Sequence, residues 1–581
     1  MDYTGCMTSA SGIFEAWGPP GPAIPPSMLV RRWDSGLVAF VLAAGVIGAL
    51  CAWPFVGHGI GLALSDVCWA LLGDESARER LSGEWPMALA VLGPALVAGI
   101  GSALVALKPR RNRWHVGGVQ LLEGKAATLV ARSRSCKADE PFAMTLHPDL
   151  RLDKRVWSQH VFVFGGVGAG KSVIMGSWLD QVIQNKWKCL IYDVKGDLTA
   201  RYREPIILSP YDRRSWVWDI ARDVRSAGDA DILAEHLAPA KSGESNPFFT
   251  QGTQMILGAL IRMLQAEKGT TWTWGDLRDA CLLPLDVKKG IITAHHPMAA
   301  LVLNDPKSKS ASDLQATLGT VARLVSDLAL AWPESLAEYK GRSRRFSVRD
   351  WAQDSYTGRP QVIVQGGGPA QLTSMYIGAL INIASSIICA GTLPDNEGGR
   401  FLGFFLDELA DMTRGGPIDT RLWSLGRAKG VVVCAATQAP EQLESNLGKE
   451  NAEALLTLSR TTIYARMGSG ASRDRLADRA GHHRVASITD GRVAEDFVRV
   501  LTPTDLTSGL GVDMRTRTVG AIVDQGGDLL HLRWPLMDYP KVRPGVVPGV
   551  LLKPERVRRK TPPSAEVSID EVRGRLGSGK R

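Results

Sequence analysis

The sequence predicts an α/β fold: a P-loop NTPase domain that carries an inserted all-α domain and is preceded by a two-helix transmembrane anchor. Three observations carry this prediction. Two uncharged runs of about twenty residues lie near the N-terminus. A glycine-rich loop stands between an apolar, β-branched run and a helical pattern. A long stretch of helical periodicity then separates that loop from an acidic strand end.

With 581 residues, 45% of them hydrophobic and 22% charged, the chain has enough apolar surface for two or three domains and is neither disordered nor fibrous. The net charge is +9, and the last forty or so residues supply about +7 of it, so the rest is nearly neutral and basicity alone says little about nucleic acid. Cys6, Cys51, Cys68, Cys136, Cys189, Cys281, Cys389 and Cys434 are scattered without metal-ligand spacing. That excludes a disulfide framework and a structural zinc site, and fits a reducing compartment.

The anchor is read first. Residues 37–57 and 87–107 are each long and apolar enough to span a bilayer, and the first is too deep and too long for a cleavable signal. Arg31 and Arg32 precede the first run, and Lys108, Arg110, Arg111 and Arg113 follow the second. The loop between them carries Asp66, Asp74, Glu75, Glu79 and Glu84 against Arg78 and Arg80. Basic flanks stay inside, so residues 36–108 are expected to form a membrane hairpin with a short periplasmic loop and both termini cytoplasmic, behind a cytoplasmic segment 1–35.

The phosphate-binding loop follows. An apolar run ends at Phe164, helical spacing begins at Val173, and between them Gly165, Gly166, Gly168, Ala169, Gly170, Lys171 and Ser172 complete a Walker A pattern. Glycines let backbone N–H groups curl round phosphate oxygens. Lys171 is placed to reach the β- and γ-phosphates, and the Ser172 hydroxyl to ligate Mg²⁺, so ATP and Mg²⁺ are the expected ligands.

Hydrolysis needs carboxylates at the end of another strand. Residues 401–408 (FLGFFLDE) form an apolar run ending in Asp407, a candidate holder of hydrated Mg²⁺, and Glu408, a candidate general base. The run 430–438 ends in Gln438, an amide placed to sense a γ-phosphate. Just ahead of it, Arg427 is a candidate arginine finger for a neighbouring subunit's nucleotide, with Arg414, Arg421 and Arg466 as rivals.

These residues together resemble the type IV secretion coupling proteins of bacterial conjugation, the TraD/TraG type. The resemblance rests on the two-span anchor, the Walker A segment, Ile191 to Asp197, Ser209 to Asp212, Trp216 to Ile220, Asp407 to Leu409, Gly426 to Gly430, and Gln438. It covers nearly the whole chain. It implies a RecA-like ATPase of the bacterial inner membrane, hexameric and DNA-stimulated, that accepts relaxase-bound single-stranded DNA, the relaxosome, and passes it to type IV secretion channel proteins. It also implies that Lys171, Asp407, Glu408, Arg427 and Gln438 take the roles given above. Lys195, after the strand 189–193, faces phosphate of ATP or of DNA, or else makes an ordinary ion pair in a turn.

The chain between Lys171 and Asp407 is far longer than a compact P-loop core needs. Residues 224–340 have helical spacing: Met255, Ile256, Ala259, Leu260, Met263 and Leu264 share a face, and Leu314, Leu318, Val321, Val325 and Leu328 follow an expected Ser312–Asp313 cap. This matches the all-α domain that the family carries between the same motifs. Phe248, Phe249, Trp272, Trp274, Lys288 and Lys289 are its DNA-contact candidates, although most of the aromatics read as core. The nucleotide domain is therefore expected in two pieces, 114–223 and 341–545, and residues 546–581 read as a basic, flexible tail.

Two other functions share the P-loop. One is a nucleotide-switched membrane receptor without motor activity. The other is an FtsK-like DNA translocase, which the two spans and the helical insertion disfavour.

Overall fold

The computed structural model describes residues 113–552, apart from 241–246, 304, 306–307, 397–398, 415, 469 and 490–491, together with four residues between 73 and 79. The spans expected at 37–57 and 87–107, the segment 1–35 and the tail beyond 552 lie outside the described residues.

The described residues divide into two compact units, 113–118 with 483–498, and 119–482 with 499–552. The smaller unit holds an antiparallel sheet built from Arg113–Gly118, His482–Thr489 and Arg492–Arg499, with Arg113 opposite Ser487.

The larger unit is built on a mixed sheet of eleven strands. In chain order these are β1 (Leu121–Leu122), β2 (Val161–Phe164), β3 (Lys188–Asp193), β4 (Ile206–Leu208), β5 (Gln361–Gln365), β6 (Leu402–Leu406), β7 (Val431–Thr437), β8 (Thr461–Tyr464), β9 (Gly511–Asp513), β10 (Thr518–Asp524) and β11 (Leu529–Pro535). Their spatial order is β1-β11-β10-β8-β2-β7-β6-β3-β5-β4, with β9 beside β10. From β8 to β4 all pairings are parallel, whereas β10 runs antiparallel to β8, β9 and β11.

Parallel strands buried on both faces read as continuous apolar runs, and residues of alternate parity serve different cores. Phe162 and Phe164 of β2 join one apolar cluster, while Val161 and Val163 join the other. The same parity holds in β7, where Val431, Val433 and Ala435 face one way and Val432, Cys434 and Ala436 the other. Helices α1 (Gly124–Ser133) and α2 (Lys171–Gln184) cover the second face.

The first face carries the helices of the long insertion: α3 (Ala227–Leu237), α4 (Phe248–Lys268), α5 (Trp274–Leu282), α6 (Leu285–His295) and α7 (Lys309–Ala331). With α8 (Ala370–Cys389) they share one apolar cluster with the sheet, including Leu233, Leu260, Leu318, Ile383 and Phe404. Among the described residues α8 is the one helix long and apolar enough to cross a bilayer, and 89% of its apolar window is buried, so it serves as a core helix.

Two local expectations are corrected. Helix α7 begins at Lys309, a turn before the Ser312–Asp313 cap expected, because the Ser308 hydroxyl accepts from the Ala311 N–H. Met255 is 37% exposed, whereas Ile256, Ala259, Leu260, Met263 and Leu264 are buried, so Met255 marks the solvent margin of the α4 face.

Candidate active site

The P-loop follows β2 and opens α2. Its shape depends on glycine most at Gly170, where φ is +92° and an added Cβ would meet Val519 Cγ1 at 2.4 Å. The loop is pinned on both sides: Gly165 N–H donates to Thr437 O at 3.2 Å and Gly166 N–H to Arg466 O at 2.8 Å. Lys171 Nζ folds back onto Gly165 O at 2.6 Å. Burial holds the Lys171 ammonium below its ordinary pKa, with Glu408 and Asp407 opposing that shift. A polyanion displacing the Gly165 carbonyl would gain a desolvated ammonium aimed into the loop.

Strand order brings the other sequence candidates alongside. β7 lies next to β2, β6 next to β7, and β3 next to β6, so Gln438, Asp407–Glu408 and Asp193 emerge at the same C-terminal edge as the P-loop. Open parallel sheets place ligands at that edge. Leu406 pairs with Ala435 and with Tyr192, which sets Asp407 across from Asp193.

Asp407 and Glu408 are sequence neighbours with opposite surroundings. The Asp407 carboxylate meets the Ser172 hydroxyl and feels Lys171, and burial raises its pKa. Asp407 and Ser172 are two hard oxygen ligands of the kind that suits a water-rich octahedral divalent cation. Glu408 is 8% exposed and turns to β7, accepting from Gln438 Nε2 at 2.9 Å and from Thr437 Oγ1 at 3.2 Å. Burial pushes the Glu408 carboxyl up, while Gln438 and Lys171 hold it down. A partly desolvated carboxylate restrained by two donors is suited to accept a proton from water. The sequence singled out Gln438 but passed over Thr437. Its signal is positional, as the strand-end residue level with Glu408 on the same face.

Lys195 is exposed at the turn after β3, and its charge acts on both Lys171 and Asp407, so it belongs to the same cluster. Arg427 does not. It stands in a 3₁₀ turn (Gly426–Lys429) before β7, at the opposite end from Gln438 of a seven-residue strand about 23 Å long at 3.3 Å per residue. There it is exposed and lines a 590 Å³ cleft with Lys154, Arg155 and Ser158. The three rival arginines are otherwise engaged. Arg414 pairs with Asp411 at 3.2 Å, Arg421 pairs with Asp419 at 2.7 Å, and Arg466 Nη2 leans on Gly168 O of its own P-loop at 3.4 Å.

Among the DNA-contact candidates, Trp272 and Trp274 are buried core residues, and Lys288 is buried with its Nζ donating to Gln315 Oε1 at 3.1 Å. Phe248 is 44% exposed at the start of α4, and Phe249 and Lys289 are half-buried.

Comparison with known proteins agrees with this architecture. Coupling protein TraD of Escherichia coli (strain K12) is 24% identical over 355 residues, which cover 60% of this chain and 45% of TraD. The chain thus spans less than half the length of that relative. The unbound conjugative coupling protein TrwBdeltaN70 superposes with a TM-score of 0.61 at 19% identity, covering 74% of this chain and 96% of that one. TrwB in complex with ADP and Mg²⁺ superposes with a TM-score of 0.61 at 18% identity, covering 75% and 98%. The family profile described as the type IV secretion-system coupling protein DNA-binding domain matches residues 145–495, more than half of the chain, and the protein belongs to that family.

Proposed function

We propose that the protein is an inner-membrane ATPase that couples a relaxosome, relaxase-bound single-stranded DNA, to a type IV secretion channel and drives or gates DNA transfer. Family membership supports the setting. The observation that carries the enzymatic reading is the split of the site. Lys171, Asp407, Glu408 and Gln438 converge at one sheet edge, and Arg427 waits in a basic cleft at the other. A homo-hexameric ring that sets one subunit's C-terminal edge against its neighbour's Arg427 cleft completes a site at each boundary.

In that site the P-loop amides and Lys171 bind and orient the ATP phosphates. Asp407 and Ser172 would hold Mg²⁺, which would supply positive charge to the phosphates. Glu408 takes the proton of the attacking water, and the neighbour's Arg427 neutralises charge that develops in the transition state. Gln438, hydrogen-bonded to Glu408, reports the γ-phosphate to the helix that follows, Pro440–Leu447. Lys195 adds a further cation beside the phosphates. The apolar runs at 37–57 and 87–107 tether the ring to the bilayer with both termini cytoplasmic, and TrwB in complex with ADP and Mg²⁺ supports the choice of ligands.

The test is the ATPase rate of the full-length chain in lipid across protein concentration, with and without single-stranded DNA, using Lys171→Ala as the blank. A rate that climbs steeply with concentration and rises with DNA is the expected result. A low rate indifferent to both would favour a nucleotide-switched receptor.

A further inference from the structure

The segment after β11 does not leave the domain. It crosses the turn that bears Lys195. Val542 N–H donates to Ala200 O at 2.9 Å, Arg543 Nε to Thr199 O at 2.7 Å, and Gln365 Nε2 bonds both Thr199 Oγ1 and Gly545 O at 2.9 Å. At the crossing two glycines lie back to back. A Cβ on Gly545 would stand 2.6 Å from Gly196 O, and Gly196 has φ of +80°. Further on, Arg214 bonds the carbonyls of Pro544 and Gly545 while pairing with Asp212, whose buried carboxylate also accepts from Val547 N–H at 3.0 Å. Gly549 N–H donates to Tyr211 O at 2.6 Å. At its start the segment reaches the P-loop helix: the Tyr539 ring lies 3.1 Å from the guanidinium of Arg201, which pairs with Asp180 of α2.

We infer that residues 539–549 are a positioning strap that fixes the Gly196 turn and thereby holds Lys195 against the nucleotide phosphates. The inference rests on the ATPase reading above and extends it to chain far from every Walker residue. The turn has its own internal clamp, since the buried Asp193 carboxylate accepts from Gly196 N–H, Thr199 N–H and Thr199 Oγ1. That clamp shapes the turn. The strap sets where the turn sits, because it is the outer wall against which Gly196 packs. It also gives Asp193 to Asp197 and Ser209 to Asp212 a shared purpose, as the two cradles of one strap. Lys195 is the residue that touches phosphate, and Arg543, Gly545 and Gln365 act through it.

The experiment is a double-mutant cycle on the full-length chain in lipid, read as kcat and KM for ATP, with thermal melting as the check of folding. Lys195→Ala is expected to lower kcat about tenfold, a loss of about 1.4 kcal/mol of transition-state stabilisation, and Lys195→Arg to keep most of the rate. Gly545→Ala is expected to lower kcat several-fold in the wild-type background and to change it little in the Lys195→Ala background. Arg543→Gln runs the same cycle should Gly545→Ala fail to fold. Effects that multiply, or a wild-type rate in Lys195→Ala alongside a dead Lys171→Ala, overturn the strap inference alone. Hydrolysis that survives Lys171→Ala overturns the nucleotide reading beneath it.

Discussion

Gln438 Nε2 donates to Glu408 Oε2 at 2.9 Å, joining the ends of two adjacent parallel strands beside the P-loop. The bond restrains the carboxylate expected to activate water, and it connects that carboxylate to the element that follows β7. Glu408→Gln should therefore bind ATP with near-normal affinity and hydrolyse it at least about a hundredfold more slowly, as loss of a general base does. Gln438→Ala should keep binding and lose roughly tenfold in kcat. Stopped-flow nucleotide binding set beside steady-state phosphate release checks both, and equal losses in binding and turnover would sink the assignment.

Lys171→Ala should abolish hydrolysis, because among the described residues Lys171 is the ammonium drawn into the loop, onto Gly165 O. The protein should still reach the membrane. Wild-type phosphate release from this variant would remove the Walker assignment.

Arg427→Ala should bind ATP and hydrolyse it poorly. Its distance along β7 from Gln438 makes action on its own P-loop untenable, so mixing it with Glu408→Gln should regain activity at the boundaries that pair two intact halves. Mixtures as inactive as either variant would count against action between subunits.

Gly170→Ala should lose nucleotide affinity, since the new methyl meets Val519 and the residue keeps a φ of +92° that non-glycine residues rarely adopt. Adding Val519→Ala should relieve the contact but not the backbone strain, so the recovery measured by calorimetry should be partial.

His160 gives a pH signature. It is buried at the start of β2, with Nε2 against Trp423 O at 2.7 Å and Nδ1 accepting from Val433 N–H at 3.1 Å, and burial pushes its imidazole down to about 4. A group whose folded pKa lies below its unfolded value of 6.5 binds fewer protons when folded. Its contribution is complete above pH 6.5 and is lost as pH falls toward 4, by about 3 kcal/mol at 1.36 kcal/mol per unit. Melting curves of the wild type should fall more steeply over that window than those of His160→Gln.

What could be read in the sequence was what local chemistry specifies. The P-loop, the acidic end of β6 and the amide end of β7 are short patterns whose meaning lies in adjacent residues, and the parallel strands announced themselves as apolar runs. The burial of Trp272 and Trp274 was only partly readable, since both stood among the DNA-contact candidates although most aromatics of the insertion read as core. Contacts set by the tertiary path were out of reach. Nothing near Gly170 names Val519, and nothing near Gly196 names Gly545. The Ser308 cap was missed for a different reason: Ser308 and Ser312 lie one helical turn apart, and periodicity cannot choose between two serines on the same face.

The opposed surroundings of Asp407 and Glu408 make their order a matter of odd and even. Successive residues of an extended strand end point to opposite sides, so the even-numbered carboxylate turns to Gln438 and the odd-numbered one to Ser172. Deleting one residue within β6 would leave the composition of the acidic pair untouched and exchange the two assignments. A protein carrying that deletion would turn the proposed water-activating carboxylate toward Ser172 and the proposed cation ligand toward the amide. The Asp-Glu pair is therefore a directional signal, and a scan for acidic strand ends that ignores the register beneath them reads only half of it.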